Sequence, residues 1–87
     1  MNQDILFADI QRWDSDKLAV NFSAQQAGAL IGCWVSLQWL QQQTAQELIT
    51  ESDILAVFAA NRFDLEELAE ELIKDEAFDN EGHIHIN

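Results

Sequence analysis

Two histidines close to residue 87 have a spacing that suits metal ligands on a β-strand. His83 and His85 are separated by one residue, and apolar residues alternate with them. Because successive side chains of a strand point to opposite faces, both imidazoles should lie on the same face. Neutral imidazole is a common metal ligand, and Asp79 or Glu81 would supply a third ligand. The simpler interpretation is a pair of solvent-facing histidines, because two residues make a weak motif.

Four glutamates belong to the segment with the clearest helical pattern in the chain. Paired carboxylates can perform acid–base chemistry where burial separates their pKa values. The apolar residues of this segment recur at the spacing of one buried helix face: Leu65, Leu68, Ala69, Leu72 and Ile73. The glutamates lie outside that stripe: Glu66, Glu67, Glu70 and Glu71. A solvated acidic helix face is the simpler interpretation. We therefore predict no catalytic residue and treat the four glutamates as candidates for binding a partner.

The residues before this helix match two signals for a helix start. Asp64 and Glu67 fit the reciprocal capping pattern at the N-cap and third helical positions. Phe63 and Leu68 fit the hydrophobic staple that packs across the same end of a helix. The pattern therefore predicts a helix whose N-cap is Asp64.

The single cysteine, Cys33, falls on a predicted strand beside Ile31 and Val35, which share its face. We expect this face to be buried, where a cysteine behaves as a small apolar residue rather than a catalytic thiol. One cysteine also excludes an intrachain disulfide and a cysteine-rich zinc site, and it is compatible with a reducing cytoplasm.

Trp34 and Leu30 fall on the opposite face of the same predicted strand. If helices cover the Cys33 face, these two apolar side chains require a different cover. We favour the N-terminal segment, which carries Ile5, Phe7 and Trp13, and a homodimer is the main alternative. Trp34 is therefore a further candidate for binding a partner.

The remaining patterns predict an α+β fold in a single domain that spans residues 1–87. Alternation at Leu18, Val20 and Phe22 predicts one strand, and a turn at 25–28 leads to a second strand at 29–35. Ser36 and Ser52 are N-cap candidates for two helices before the acidic one, and 83–86 form a final strand. We expect a small, mostly antiparallel sheet, made of an N-terminal hairpin and the C-terminal strand, with two to three helices on one face.

The charge of the chain narrows its partners. Sixteen acids and four bases give a net charge of −12, and residues 51–87 hold eleven of the acids and two of the bases. Such a surface repels phosphate backbones and anionic lipids, so we expect neither direct nucleic-acid binding nor membrane binding. We see no signal peptide, and the longest apolar run, 54–60, is too short to cross a bilayer. We therefore expect a cytoplasmic protein.

Several motifs, in their order along the chain, resemble the domain of unknown function 1488 family of short bacterial proteins. Five segments carry the resemblance: Ala19 to Phe22, Gly28 to Ser36, Phe58 to Arg62, Leu65 to Glu70 and Gly82 to Ile86. Its sharpest marks are the Asn61-Arg62 pair ahead of an acidic helix and the final glycine followed by an alternating strand. The segment 41–51 is longer than the resemblance leads us to expect. The resemblance implies a compact α+β protein of Proteobacteria and transfers no site residues.

The absence of a catalytic constellation favours a non-enzymatic protein without a cofactor. Our leading expectation is a protein-binding or regulatory module whose partner is another protein or a second copy in a homodimer. One alternative is an acidic mimic of nucleic acid that inhibits a basic partner. The other is a small metal-binding protein or enzyme that uses His83 and His85.

Overall fold

A computed structural model describes residues 5–87 and contains a four-stranded sheet and three helices, an α+β fold as the sequence predicts. In chain order the elements are β1 (Leu6–Asp14), β2 (Ala19–Gln26), β3 (Ala29–Ser36), α1 (Leu37–Thr44), α2 (Glu51–Ala60), α3 (Arg62–Lys74) and β4 (Ile84–Ile86).

The sheet has the order β1-β2-β3-β4 and is open at both edges. The pairs β1–β2 and β2–β3 are antiparallel, whereas β4 returns to pair in parallel with β3, with Cys33 opposite Ile84. The predicted hairpin of β2 and β3 is confirmed. Its two turn residues, Ala27 and Gly28, have φ values of 52° and 84°, which suit a tight hairpin turn.

The helices pack on one face of the sheet and form a single core with it. Alternate residues of β2, β3 and β4 point into this core, because the side chains of a strand alternate between faces. The residues that these strands contribute to the core cluster are Val20, Phe22, Ala24, Ile31, Cys33, Val35, Ile84 and Ile86, and those of the helices are Leu40, Ile54, Phe58, Leu65, Ala69 and Ile73. In the part of the chain that the structure describes, no helix is long and apolar enough to cross a bilayer.

The predicted start of the acidic helix is wrong. The helix α3 begins at Arg62, and Asn61, the single residue between α2 and α3, occupies its N-cap position. Asp64 therefore lies within the first turn, and Phe63 is 87% exposed, so the predicted staple does not form. The Asn61 side chain donates to the Val57 carbonyl at 2.9 Å and so closes the end of α2.

Two smaller predictions are also wrong, while a third is confirmed. Leu18 precedes β2, has a φ of 50° and is 56% exposed, because it belongs to the turn after β1. The N-cap of α2 is Thr50 rather than Ser52, and its side chain accepts a hydrogen bond from the Asp53 amide. Ser36 caps α1 as predicted, since its hydroxyl accepts a 3.0 Å hydrogen bond from the Trp39 amide.

The described part of the N-terminal segment, residues 5–14, adds an edge strand and does not cover the Trp34 face, contrary to our prediction. In β1, Phe7 pairs with Ala24 and Trp13 with Val20, so both aromatic side chains lie on the core face. Directly paired residues share a face of the sheet, and these two partners are buried. The segment therefore widens the sheet instead of covering its other side.

A bulge interrupts β1 between Phe7 and Gln11, and Arg62 of α3 holds it in place. The guanidinium group donates to the Ala8 carbonyl at 2.5 Å and to the Gln11 side-chain oxygen at 2.8 Å. It also forms a 2.9 Å ion pair with Glu66, one turn along the helix. Arg62 therefore connects the edge strand to the helical layer.

Candidate contact surface

The face of the sheet opposite the helices, called the open face below, is the main candidate for a contact surface. The strand register places Arg12, Asn21, Trp34 and His85 in one row across β1, β2, β3 and β4. Neighbouring rows contain Ser23 with Gly32, and Leu6 with Gln25 and Leu30. None of the helices or strands described for residues 5–87 lies over these rows.

One end of the open face is apolar. Leu30 is 77% exposed and Leu6 is 62% exposed, and both line a shallow cavity of about 110 Å³. Ile10, in the neighbouring bulge, is 67% exposed. Exposed leucines are common singly, but two that line the same cavity on one sheet face indicate a surface that gains free energy when another molecule covers it.

The middle of the open face is occupied by Trp34. The Lys17 ammonium group lies 5.2 Å from the centre of the indole ring, a cation–π arrangement. The indole N–H points to Nδ1 of His83 at 3.4 Å. These two contacts orient the indole ring, and its N–H edge faces the polar side chains next to β4. Trp34 also borders an open pocket of about 240 Å³, which Ser36 and His85 help to line.

Asp79 organises the turn that leads into β4. One carboxylate oxygen accepts hydrogen bonds from the backbone amides of Glu81 and His83 at 2.8 and 2.9 Å. The other oxygen lies 2.6 Å from Nε2 of His85. The His83 amide and then the His85 side chain lower the Asp79 pKa from 3.8 to about 2, because both stabilise the ionised carboxylate.

The two histidines share the open face, and only one of them joins a group with metal-ligand spacing. The ligand atoms of Asp79, Glu81 and His83 lie within 4.8 Å of one another, and His85 contacts Asp79 rather than joining the three. Both oxygens of Asp79 and Nδ1 of His83 already have protein partners. The turn therefore accounts for this geometry by itself, and a metal role for His83 and His85 stays a prediction.

The lowered pKa of Asp79 predicts an acid-dependent loss of stability. A carboxylate whose pKa is lower in the folded state stabilises the fold above its unfolded pKa, and this contribution disappears as the pH falls. The difference in unfolding free energy between the wild type and Asp79→Asn should therefore shrink as the pH falls from the unfolded pKa of 3.8 to the folded pKa of about 2. Urea titrations at several pH values measure it, and a constant difference would contradict the assignment.

Cys33 lies in the core, as the sequence predicts, with no exposed surface. Burial raises the pKa of its thiol from 9.0 to about 11, against a smaller opposing effect of a backbone hydrogen bond from Ala24. The thiolate is the reactive form. We therefore expect the native protein to resist a thiol reagent at pH 8 and the denatured protein to react fully. Rapid labelling of the native protein would show that the core opens far more readily than the structure indicates.

The four predicted glutamates divide into two pairs. Glu66 is bound to Arg62, and Glu70 forms a 3.4 Å ion pair with Lys74, so these two already have basic partners within α3. Glu67 and Glu71 are exposed, and no ion pair involves them among residues 5–87. The structure does not bring the glutamates together with Trp34, because they lie on the helical layer.

The sequence analysis missed three residues of the open face: Leu6, Arg12 and Lys17. Leu6 and Arg12 belong to β1, whose alternation is broken by the bulge, so the period of two was not visible over the whole strand. Lys17 lies in a turn, and only the fold shows that this turn places its side chain over Trp34. Beyond the bulge, Gln11 is polar although it pairs with the core residue Phe22, so the sequence shows no alternation there either.

Comparison with known proteins gives a consistent result. The model of a family described as a protein of unknown function (DUF1488) matches residues 5–86. An uncharacterised protein YrdB of Escherichia coli K12 is 37% identical over 86 residues, which cover 99% of each chain, and its Shigella flexneri counterpart is 36% identical with the same coverage. A crystal structure of a DUF1488 protein of unknown function from Shewanella loihica PV-4 is 41% identical, with a TM-score of 0.94 over 99% of this chain and 94% of that one. This chain therefore belongs to the DUF1488 family.

Proposed function

We propose that this protein is a non-enzymatic binding module that contacts another protein chain through the open face of its sheet. The observation that supports the proposal is the arrangement of Leu6, Leu30 and Trp34 on a sheet face that no helix or strand of residues 5–87 covers. The His83 ring, from the turn before β4, packs over Gly32 on this face. An antiparallel sheet tolerates one solvated face when that face is polar. In this protein, exposed leucine side chains and the Trp34 indole occupy part of that face instead of polar side chains.

The charges of the chain support the same surface. The bases Arg62 and Lys74 are paired with acids on the helical layer, whereas Arg12 and Lys17 lie at the open face. The open face is therefore less acidic than the helical layer, although the whole chain has a net charge of −12. Tryptophan and arginine are enriched where interfaces gain most of their binding energy. The proposal therefore places the partner's main contacts around Trp34 and Arg12.

Two matched variants test the proposal. Leu30 and Ile49 are 77% and 78% exposed, but only Leu30 lies on the open face. We expect immobilised wild-type protein and Ile49→Ser to retain the same specific protein from a bacterial extract at low salt. Leu30→Ser should retain at least about tenfold less, which corresponds to about 1.4 kcal/mol. Equal retention by the two variants would contradict the proposal.

A second candidate function, mimicry of nucleic acid, is favoured by a stripe of acids on α3. Asp64, Glu67 and Glu71 are exposed and spaced by three and four residues, so they follow one side of a helix about 20 Å long. Such a stripe would bind the basic site of a nucleic-acid-binding protein. An excess of duplex DNA should then elute the bound protein from the wild type, and Glu67→Gln/Glu71→Gln should retain less of it. If DNA elutes nothing, this second function is excluded.

A further inference from the structure

We propose that the open face binds a second copy of the same chain, with a two-fold axis parallel to the strands. The inference rests on the proposed function, since it requires the open face to be a contact surface. It adds the identity of the partner and the relative orientation of the two copies. Charge complementarity within the face is the basis of the inference.

The row through Trp34 has opposite charges at its two ends. Arg12 is on β1 at one edge, and His85 with its carboxylate partner Asp79 is on the β4 side at the other edge. Glu81 adds a second, exposed carboxylate on the β4 side. Among residues 5–87, neither Arg12 nor Lys17 forms an ion pair. Arg12, at the β1 edge, therefore remains available to carboxylates of another chain, whereas Lys17 lies over Trp34 and lines the same pocket as His85.

A two-fold contact is self-complementary, so each feature of the surface must fit what the symmetry places opposite it. An axis along the strands places β1 of one copy over β4 of the other. Arg12 then faces Asp79 and Glu81 of the second copy, and the two Trp34 rings come close to the axis. An axis across the strands would instead place β1 over β1, where Arg12 and Asp14 share the open face, and β4 over β4, where the carboxylates of Asp79 and Glu81 from both copies would meet. The charge pattern therefore selects the first arrangement.

The same arrangement keeps the acidic helical layers apart. All three helices lie on the face away from the proposed contact, including α3 with Glu67 and Glu71. Each helical layer is roughly 10 Å from its own sheet, and screening at physiological salt has a length of about 8 Å. Repulsion between two chains of charge −12 is therefore smallest when the open faces meet.

The size of the face predicts a weak dimer. Three strands about 27 Å long and the three-residue β4, about 10 Å long, lie about 4.8 Å apart and give an area of roughly 400–500 Å² per copy. Stable complexes bury about 800 Å² per partner. We therefore expect a reversible, concentration-dependent dimer with a dissociation constant in the micromolar range or weaker.

A charge-swap cycle measured by sedimentation equilibrium tests this inference on the full chain. Arg12→Glu and Glu81→Arg should each weaken the dimer at least tenfold, and the double variant should recover most of the wild-type affinity. Lys74→Glu and Glu67→Arg, which make the same changes of charge on α3, are the matched controls and should leave the affinity within about threefold. Circular dichroism spectra check that every variant remains folded.

Each outcome separates this inference from the proposed function. Wild-type protein that stays monomeric at the highest concentration overturns the inference. The proposed function survives that result if the wild type retains a protein other than itself and Leu30→Ser does not retain it. A dimer that Arg12→Glu and Glu81→Arg weaken without rescue in the double variant contradicts the proposed axis. A dimer that neither Leu30→Ser nor the charge variants affect must use a different surface, and this overturns the inference.

Discussion

Replacing Phe58 with alanine should destabilise the protein by about 3–5 kcal/mol, the range for a large aromatic residue in a core. Phe58 is 1% exposed and contacts Phe22 of β2 edge to face, with 5.3 Å between ring centres. It therefore connects α2 to the centre of the sheet. A domain of this size has a total stability on the order of 5–10 kcal/mol, so the variant should be partly unfolded at 37 °C. Thermal and urea denaturation measure the change.

Phe63→Ala is the matched control, because Phe63 is an aromatic residue only five positions away but is 87% exposed. Its effect should remain within about 0.5 kcal/mol, as for other exposed sites without special contacts. If both substitutions destabilise the protein equally, Phe63 is buried in solution. That result would contradict the structure described here or reveal a contact between molecules.

Removing the Arg62 guanidinium in Arg62→Met should destabilise the protein by about 2–3 kcal/mol, the scale of hydrogen bonds to a charged group. The substitution keeps an aliphatic stem but removes the donors to Ala8 and Gln11, the ion pair to Glu66 and the guanidinium carbon that lies 5.7 Å from the centre of the Phe58 ring. Arg62→Lys should recover only part of the loss, because an ammonium group lacks the planar fork. Urea denaturation measures both variants.

The ion pair of Lys74 with Glu70 is an internal control for Arg62. It has the same spacing of four residues on α3, but its two side chains are 61% and 39% exposed. Lys74→Met should therefore cost no more than about 1 kcal/mol. Amide exchange in β1 should increase with Arg62→Met and remain unchanged with Lys74→Met. Unchanged exchange in both variants would mean that Arg62 does not hold the bulge.

Sequence patterns predicted most of the elements but not how the edges of the sheet are built. The alternation in β2, β3 and β4 follows directly from burial of one face, and it correctly placed Cys33 in the core. β1 is missing from the predicted sheet, because the bulge after Phe7 shifts its alternation. The parallel pairing of β4 with β3 joins segments 51 residues apart, and no local pattern encodes such a pairing.

The start of α3 and the composition of the open face could not be predicted from local sequence patterns, for two different reasons. The capping pattern at Asp64 is real, but α2 ends at Ala60 and leaves one linking residue, so the tertiary arrangement overrides it. Trp34 was correctly assigned to the face opposite Cys33. Its neighbours Arg12 and Lys17 come from another strand and a turn, and only the folded chain brings them to that face.

The Asn61-Arg62 pair, a sharp mark of the family resemblance, has a structural explanation in this chain. Asn61 closes α2, and Arg62 binds the bulge of β1. Neither side chain lies on the open face. The pair therefore supports the fold, and the search for a functional site can concentrate on the residues around Trp34.

Photocrosslinking from single positions in living bacteria tests the central claim, that the open face is the contact surface, most directly. A photoreactive amino acid would replace Leu30 on the open face or, in a matched variant, Ile49 on the helical side, positions with 77% and 78% exposure. We predict a discrete protein adduct from position 30 and none from position 49, and an adduct of twice the chain mass would identify a second copy. Equal adducts from both positions, or an adduct from position 49 alone, would contradict the claim.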